Sequence, residues 1–142
     1  MIVKQLSVFL ENKSGRLNEV TTLLGDAHVN ISAFNIADTS EFGILRMIVS
    51  DSEKALSVLK AAHFSVSLTD VVCLCTPNQP GALARALNIL VSEGVFIEYL
   101  YAYSNEGTTA NIMLKSTNLQ KCAGVLEKYK KELAATSDLY KI

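Results

Sequence analysis

A chain of 142 residues is one ordinary domain or two small ones. With 49% hydrophobic and 19% charged residues and a mean hydropathy of +0.26, it has the core material to fold, which excludes intrinsic disorder. Thirteen basic and 14 acidic residues leave a net charge of −1, spread over both halves, so no basic face is available and the balance argues against a nucleic-acid partner.

The first predicted strand carries Leu6, Val8 and Leu10 in alternation. Residues 12–15 break that pattern. Leu17, Val20, Leu23, Leu24 and Ala27 then follow at helical spacing. A second strand is expected over 29–36, a polar turn over 38–43, and a third strand over 44–49. A second helix starts near Ser52 with Ala55, Leu56, Leu59 and Ala62 inward, ahead of a short strand over 64–68. The order then restarts. Val72, Leu74 and Thr76 mark a strand, and Leu83, Ala86, Ile89 and Leu90 a helix that Gly94 terminates. Strands are expected over 95–103 and 110–115, a helix through Leu119, Cys122, Ala123, Leu126 and Tyr129, and a last strand over 139–142.

Laid over itself at a shift of 66 residues, the chain aligns 12–50 with 78–116 without a gap. The identical pairs are Asn12/Asn78, Gly15/Gly81, Leu17/Leu83, Leu24/Leu90, Val29/Val95, Ile31/Ile97, Met47/Met113 and Ser50/Ser116, where chance gives about 2 or 3. The register slips by one residue only after Ser116. A unit of this length is too long for a solenoid repeat, so the reading is two small globular units, 1–68 and 69–142, with no linker between them. The order β-α-β-β-α-β, twice, predicts an α+β fold of two ferredoxin-like units. Each is an antiparallel sheet with both helices on one face, and the two are expected to pair side by side so that edge strands are hidden.

Catalytic constellations are missing. His28 and His63 fall at predicted helix ends, where a cation suits the dipole. Carboxylates such as Glu19, Asp26 and Glu53 are scattered on helix exteriors, and no glycine-rich phosphate loop occurs. Cys73, Cys75 and Cys122 lack metal spacing and read as buried packing residues of a reduced, cytoplasmic chain. The run Lys128-Tyr129-Lys130-Lys131 reads as a solvated helix face. No apolar stretch approaches the ~20 residues of a membrane span, and no signal peptide is visible. The expectation is a non-enzyme with no cofactor, no metal, no nucleic acid and no membrane partner.

What recurs is Asn-x-x-Gly-x-Leu between the first strand and first helix of each half. Glycine there allows close backbone approach, and the free amides of a helix N-terminus suit a carboxylate. The plainer reading is a good helix start, with Ser14 as cap and Pro80 in the first turn.

Both halves resemble ACT domains, small β-α-β-β-α-β regulatory modules that bind amino acids or related effectors at domain interfaces. The residues that carry the resemblance are Asn78-Gln79-Pro80-Gly81-Ala82-Leu83, close to the family's acidic-x-Pro-Gly-x-Leu loop, with His28-Val29-Asn30-Ile31 and Gly94-Val95-Phe96-Ile97. The first half, from Leu6 to Leu17, is also similar to the start of acetolactate synthase small subunits, which mediate feedback by branched-chain amino acids. The resemblance implies a ligand cleft at the interface between the two units, where the loop of one faces the second strand of the other, built from Asn12, Lys13, Ser14, Gly15, Arg16 and Leu17, from Asn78, Gln79, Pro80, Gly81, Ala82 and Leu83, and from Asn30, Ile31, Ile97 and Glu98 on the strands. Asn12 and Asn78 stand where many members carry an acidic residue, and Ser14 replaces the proline, so the two loops are not expected to be equivalent sites. The implied protein is a homodimer that binds a free amino acid and signals to a metabolic enzyme, such as a biosynthetic one, or changes its own assembly. The alternative is a dissociable regulatory subunit that acts as a docking module.

Overall fold

A computed structural model of the chain describes residues 1–11, 13–38, 41–103 and 107–135. The elements in chain order are β1 (Ile2–Glu11), α1 (Arg16–Asp26), β2 (Ile31–Asp38), β3 (Phe42–Val49), α2 (Ser52–Ala61), β4 (Ser65–Pro77), α3 (Ala82–Ser92), β5 (Ile97–Ala102), β6 (Thr109–Ser116), α4 (Leu119–Lys128) and α5 (Lys130–Ala134). The chain divides into two compact units. One is Lys4–Thr69; the other runs from Asp70 onward and includes Met1–Val3, which the duplication had placed with the first half. The strands expected on either side of Thr69 form one continuous β4, since nothing in Leu68-Thr69-Asp70-Val71 breaks an extended backbone.

In the first unit β3 lies between β1 and β2, antiparallel to both, with Leu6 opposite Met47 and Phe34 opposite Met47 on the other side. Alternation sends Leu6, Val8, Leu10, Leu45 and Met47 to one face. There they form a single core with Val20 and Leu24 of α1 and Ala55 and Leu59 of α2. Leu6, Leu24 and Leu59 are fully buried, each worth about 1.5–3 kcal/mol over its exposed state. The second unit repeats the plan. β6 lies between β4 and β5, and Val72, Leu74, Ile112 and Leu114 pack on Ala86 and Leu90 of α3 and on Cys122, Val125 and Leu126 of α4. The fold is thus α+β, with the βαββαβ pattern twice, antiparallel sheets and helices on one face.

Two helices carry matching side-chain caps: Asp51 accepts from the Lys54 amide at 3.1 Å, and Asn118 from the Lys121 amide at 3.0 Å. Their spacing is 67 residues (118 − 51), and the sheets show where the extra residue enters. Leu6 faces Met47 and Val72 faces Leu114, so β1 and β4 match at a shift of 66 (72 − 6) but β3 and β6 at 67 (114 − 47). The slip therefore lies in the turn before the third strand of the repeat, not after Ser116. Met47/Met113 and Ser50/Ser116 are identical letters at non-equivalent places. The gapless match misled because a turn absorbs an added residue without disturbing a core.

The cysteines also depart from expectation. Cys122 is buried, but Cys73 is half-buried and Cys75 exposed, because β4 turns Val72, Leu74 and Thr76 toward the helices and the CxC pair away from them. The Cys73 amide donates to the Met1 carbonyl at 2.9 Å, so the chain's first residue occupies that edge of the second unit. The strand expected over 139–142 lies outside the described residues.

Candidate functional site

Both recurring loops end in a glycine at the same left-handed geometry, Gly15 at φ 86° and Gly81 at φ 86°, and each serves as the N-cap of the helix that follows. Neither helix has a side-chain cap. Ser14 does not cap α1, and Pro80 precedes the N-cap of α3 instead of occupying its first turn; both expectations are corrected by the position of the glycine. A left-handed residue costs a side chain ~1–2 kcal/mol, so glycine is the economical choice. The first helical amides, Arg16 and Ala82, turn back onto the Lys13 and Gln79 carbonyls at 3.3 and 3.2 Å. The next two amides of each helix have no acceptor within the helix.

Beside each loop lies a cavity within its own unit. In the first unit it measures about 360 Å³ and is lined by Leu17, Asn18, Thr21, Ile31, Phe34, Leu45 and Met47. In the second it measures about 240 Å³ and is lined by Thr76, Pro77, Asn78, Gln79, Leu83, Leu100, Ala102, Ala110 and Ile112. Both use the conserved geometry of the duplication, since Leu17 and Leu83 open the two helices and Phe34 and Leu100 face the third strand at matching places. Their chemistry differs. The first is almost wholly apolar, with Asn18 and Thr21 at the helix side; the Thr21 hydroxyl donates to the Leu17 and Asn18 carbonyls. The second is more polar, and the Gln79 Oε1 is buried without a hydrogen-bond partner.

The sequence profile of the ACT domain pair matches residues 1–142. The chain belongs to the ACT domain pair family. Among solved structures, a protein from Bacteroides thetaiotaomicron is similar at 52% identity and a TM-score of 0.87, covering 100% of this chain and 98% of that one. The ligand-free regulatory subunit of aspartate kinase from Thermus thermophilus is similar at 12% identity and a TM-score of 0.64, covering 90% and 96% of the two chains. That from Thermus flavus follows at 12% and 0.62, covering 90% and 94%. At such identity the likeness of these two is one of fold. No curated protein matches the chain.

On this ACT pair the sequence-nominated residues are not brought to one place. Leu17, Ile31, Asn78, Gln79 and Leu83 line the cavities. Lys13, Ser14, Gly15, Pro80 and Gly81 are exposed on the loops, while Ala82 is buried; Asn12 lies outside the described residues. The charged nominees are tied up locally: Lys13 with Glu11 at 2.7 Å, Arg16 with Glu19 at 3.2 Å and 5.9 Å over the Phe64 ring, Glu98 with Lys115 at 3.3 Å. The hydrogen bond from Lys13, and then its charge, hold the Glu11 carboxyl below the usual carboxylate range. Asn30 spends its backbone on Ser50, donating to its hydroxyl and accepting from its amide, both at 2.9 Å, and Ile97 packs against the second core. Sequence reasoning passed over Asn18, Thr21, Phe34, Leu45 and Met47. The spacing of residues 17, 18 and 21 along one helical turn was the available signal for the first two. Among the described residues no group of three or more His, Cys, Asp or Glu side chains could hold a metal, and no helix is long and apolar enough to cross a membrane.

Proposed function

We propose that this ACT pair is a non-catalytic, cytoplasmic regulatory protein that binds a free amino acid and signals to a biosynthetic enzyme, or changes its own assembly as a homodimer. The observation that carries the reading is the pair of left-handed glycines, Gly15 and Gly81, each opening a helix beside a cavity, the one in the first unit of ligand size. The ligand carboxylate is assigned to the amides that follow these glycines, and its ammonium to side-chain or main-chain oxygens of Asn12, Asn78 or Gln79, with Asn30, Ile31, Ile97 and Glu98 as flanking strand residues. Support for regulation comes from the two Thermus proteins of the same fold, which are regulatory subunits of aspartate kinase. Transmission requires that the ligand favour one arrangement of the protein over another.

The test is a thermal-shift panel of the twenty amino acids at millimolar concentration, since a ligand that binds only the folded state raises the melting temperature. A selective shift, lost in Gly15→Ala or in Gly81→Ala according to which loop is filled, is the expected result. A flat panel from refolded protein removes the reading. A second reading, a docking subunit of the acetolactate-synthase-small-subunit kind, is favoured by one feature: Phe9 and Phe42 stack at 5.0 Å on the sheet face away from the helices and stay 47% and 40% exposed. Copurification of a catalytic chain that Phe9→Ser releases would select it.

A further inference from the structure

We infer that the cavity of the first unit receives the side chain of the effector, and that this side chain is apolar: aliphatic, thioether or aromatic. The inference rests on the amino-acid reading above for the class of molecule and adds its chemical character. Leu45 and Met47, both 1% exposed, form the floor; Ile31 flanks it; Leu17 and Phe34, 43% and 69% exposed, form the rim. No lining residue is ionisable, so a charged ligand side chain would lose its hydration without gaining a counter-charge. An apolar one loses water and covers Leu17 and Phe34, the two costly exposures at the site. Asn18 and Thr21 confine hydrogen bonding to the helix side, beside the assigned carboxylate.

Size selects a small molecule. About 360 Å³ lies near the lower end of the ~300–1,000 Å³ of small-ligand sites, and a helix of ~10 Å diameter does not fit. The matching cavity of the second unit differs. Ala84 and Leu87 stand where the first has Asn18 and Thr21, Leu100 replaces Phe34, and the remaining space is smaller and lined by Thr76, Asn78 and Gln79. One apolar ligand per chain follows.

The experiment is calorimetric titration of the full chain with leucine, methionine and phenylalanine, against aspartate, lysine and threonine, with Phe34→Ser as the site variant. Phe34 is mostly exposed, so its replacement leaves the fold intact, and Phe96→Ser, at a ring 66% exposed in the second unit, is the control for loss of an exposed ring. The expected result is binding of the apolar set at one per chain, weakened about tenfold or more by Phe34→Ser and unchanged by Phe96→Ser. Tightest binding by a charged or hydroxyl amino acid, or apolar binding indifferent to Phe34→Ser, overturns the inference and leaves the amino-acid reading standing. Binding of none of the six, together with a flat thermal-shift panel of the twenty, removes both. A change of sedimentation mass in Phe34→Ser without a change in ligand binding makes the groove a self-association surface and equally overturns the inference.

Discussion

Alanine placed at two glycines of one helix should move stability in opposite directions. Gly15 holds φ 86° as the N-cap of α1, and a Cβ built there meets no heavy atom within 4 Å. Its replacement by alanine therefore costs only the left-handed backbone, about 1–2 kcal/mol. Gly25, in the last turn of the same helix, also has open space around a built Cβ and no positive φ. Alanine there removes unfolded-state freedom and gains helix propensity, stabilising by roughly 0.5–1 kcal/mol. Both residues belong to the first unit, so the difference between the variants, about 1.5–3 kcal/mol, is read from one transition. At a urea dependence of about 1–3 kcal/mol per molar, the two midpoints separate by about 1 M on urea titration followed by circular dichroism. Gly15→Asn should recover part of the loss, because asparagine tolerates the left-handed region. If Gly15→Ala is as stable as the parent, the loop does not hold that backbone in solution, and the geometry assigned to the ligand amides goes with it.

His28 and His63 take φ of 59° and 67° just past the ends of α1 and α2, where Gly94 sits after α3, so His28→Gly and His63→Gly should each stabilise by up to about 1 kcal/mol in the same urea assay. Glu93 accepts from the Tyr129 hydroxyl at 2.6 Å and pairs with Lys128 at 3.4 Å, and these, the hydroxyl first, hold its carboxyl below the usual range. A lowered folded-state pKa contributes stability above the ordinary carboxylate value and loses it as pH falls through the folded value. Tyr129→Phe should therefore raise the Glu93 pKa in a carboxyl NMR titration and flatten the acid limb of stability against pH. Burial pushes the Cys73 and Cys122 thiols up, with Cys75 adding to the first, so brief alkylation read by mass spectrometry should label exposed Cys75 ahead of Cys73 and leave Cys122 for last.

Much of the fold was legible because its signals are local. Alternation at Leu6, Val8 and Leu10, helical spacing at Leu17, Val20 and Leu24, and a glycine at each loop end depend on a few neighbouring residues, and the duplication displayed them twice. The element order, the helix-bearing face and the ACT resemblance follow from those. Where a signal depended on pairing, sequence was insufficient. The extra residue before β6 is visible only when Val72 is seen opposite Leu114, because identical letters at Met47/Met113 favoured the wrong register. Ser14 looked like a cap because its hydroxyl suits one, yet the left-handed turn at Gly15 moves the helix start one residue on.

The sequence by itself determined the β-α-β-β-α-β order twice over and the glycine-ended loop that opens the first helix of each unit. Only the tertiary structure decided which side chains stand around those loops. Leu45 and Met47 are 24 and 26 residues beyond Thr21 and Thr21 is ten short of Ile31, yet all four line one cavity. Strand pairing and helix packing bring them together, and no periodicity along the chain encodes a contact made across a sheet.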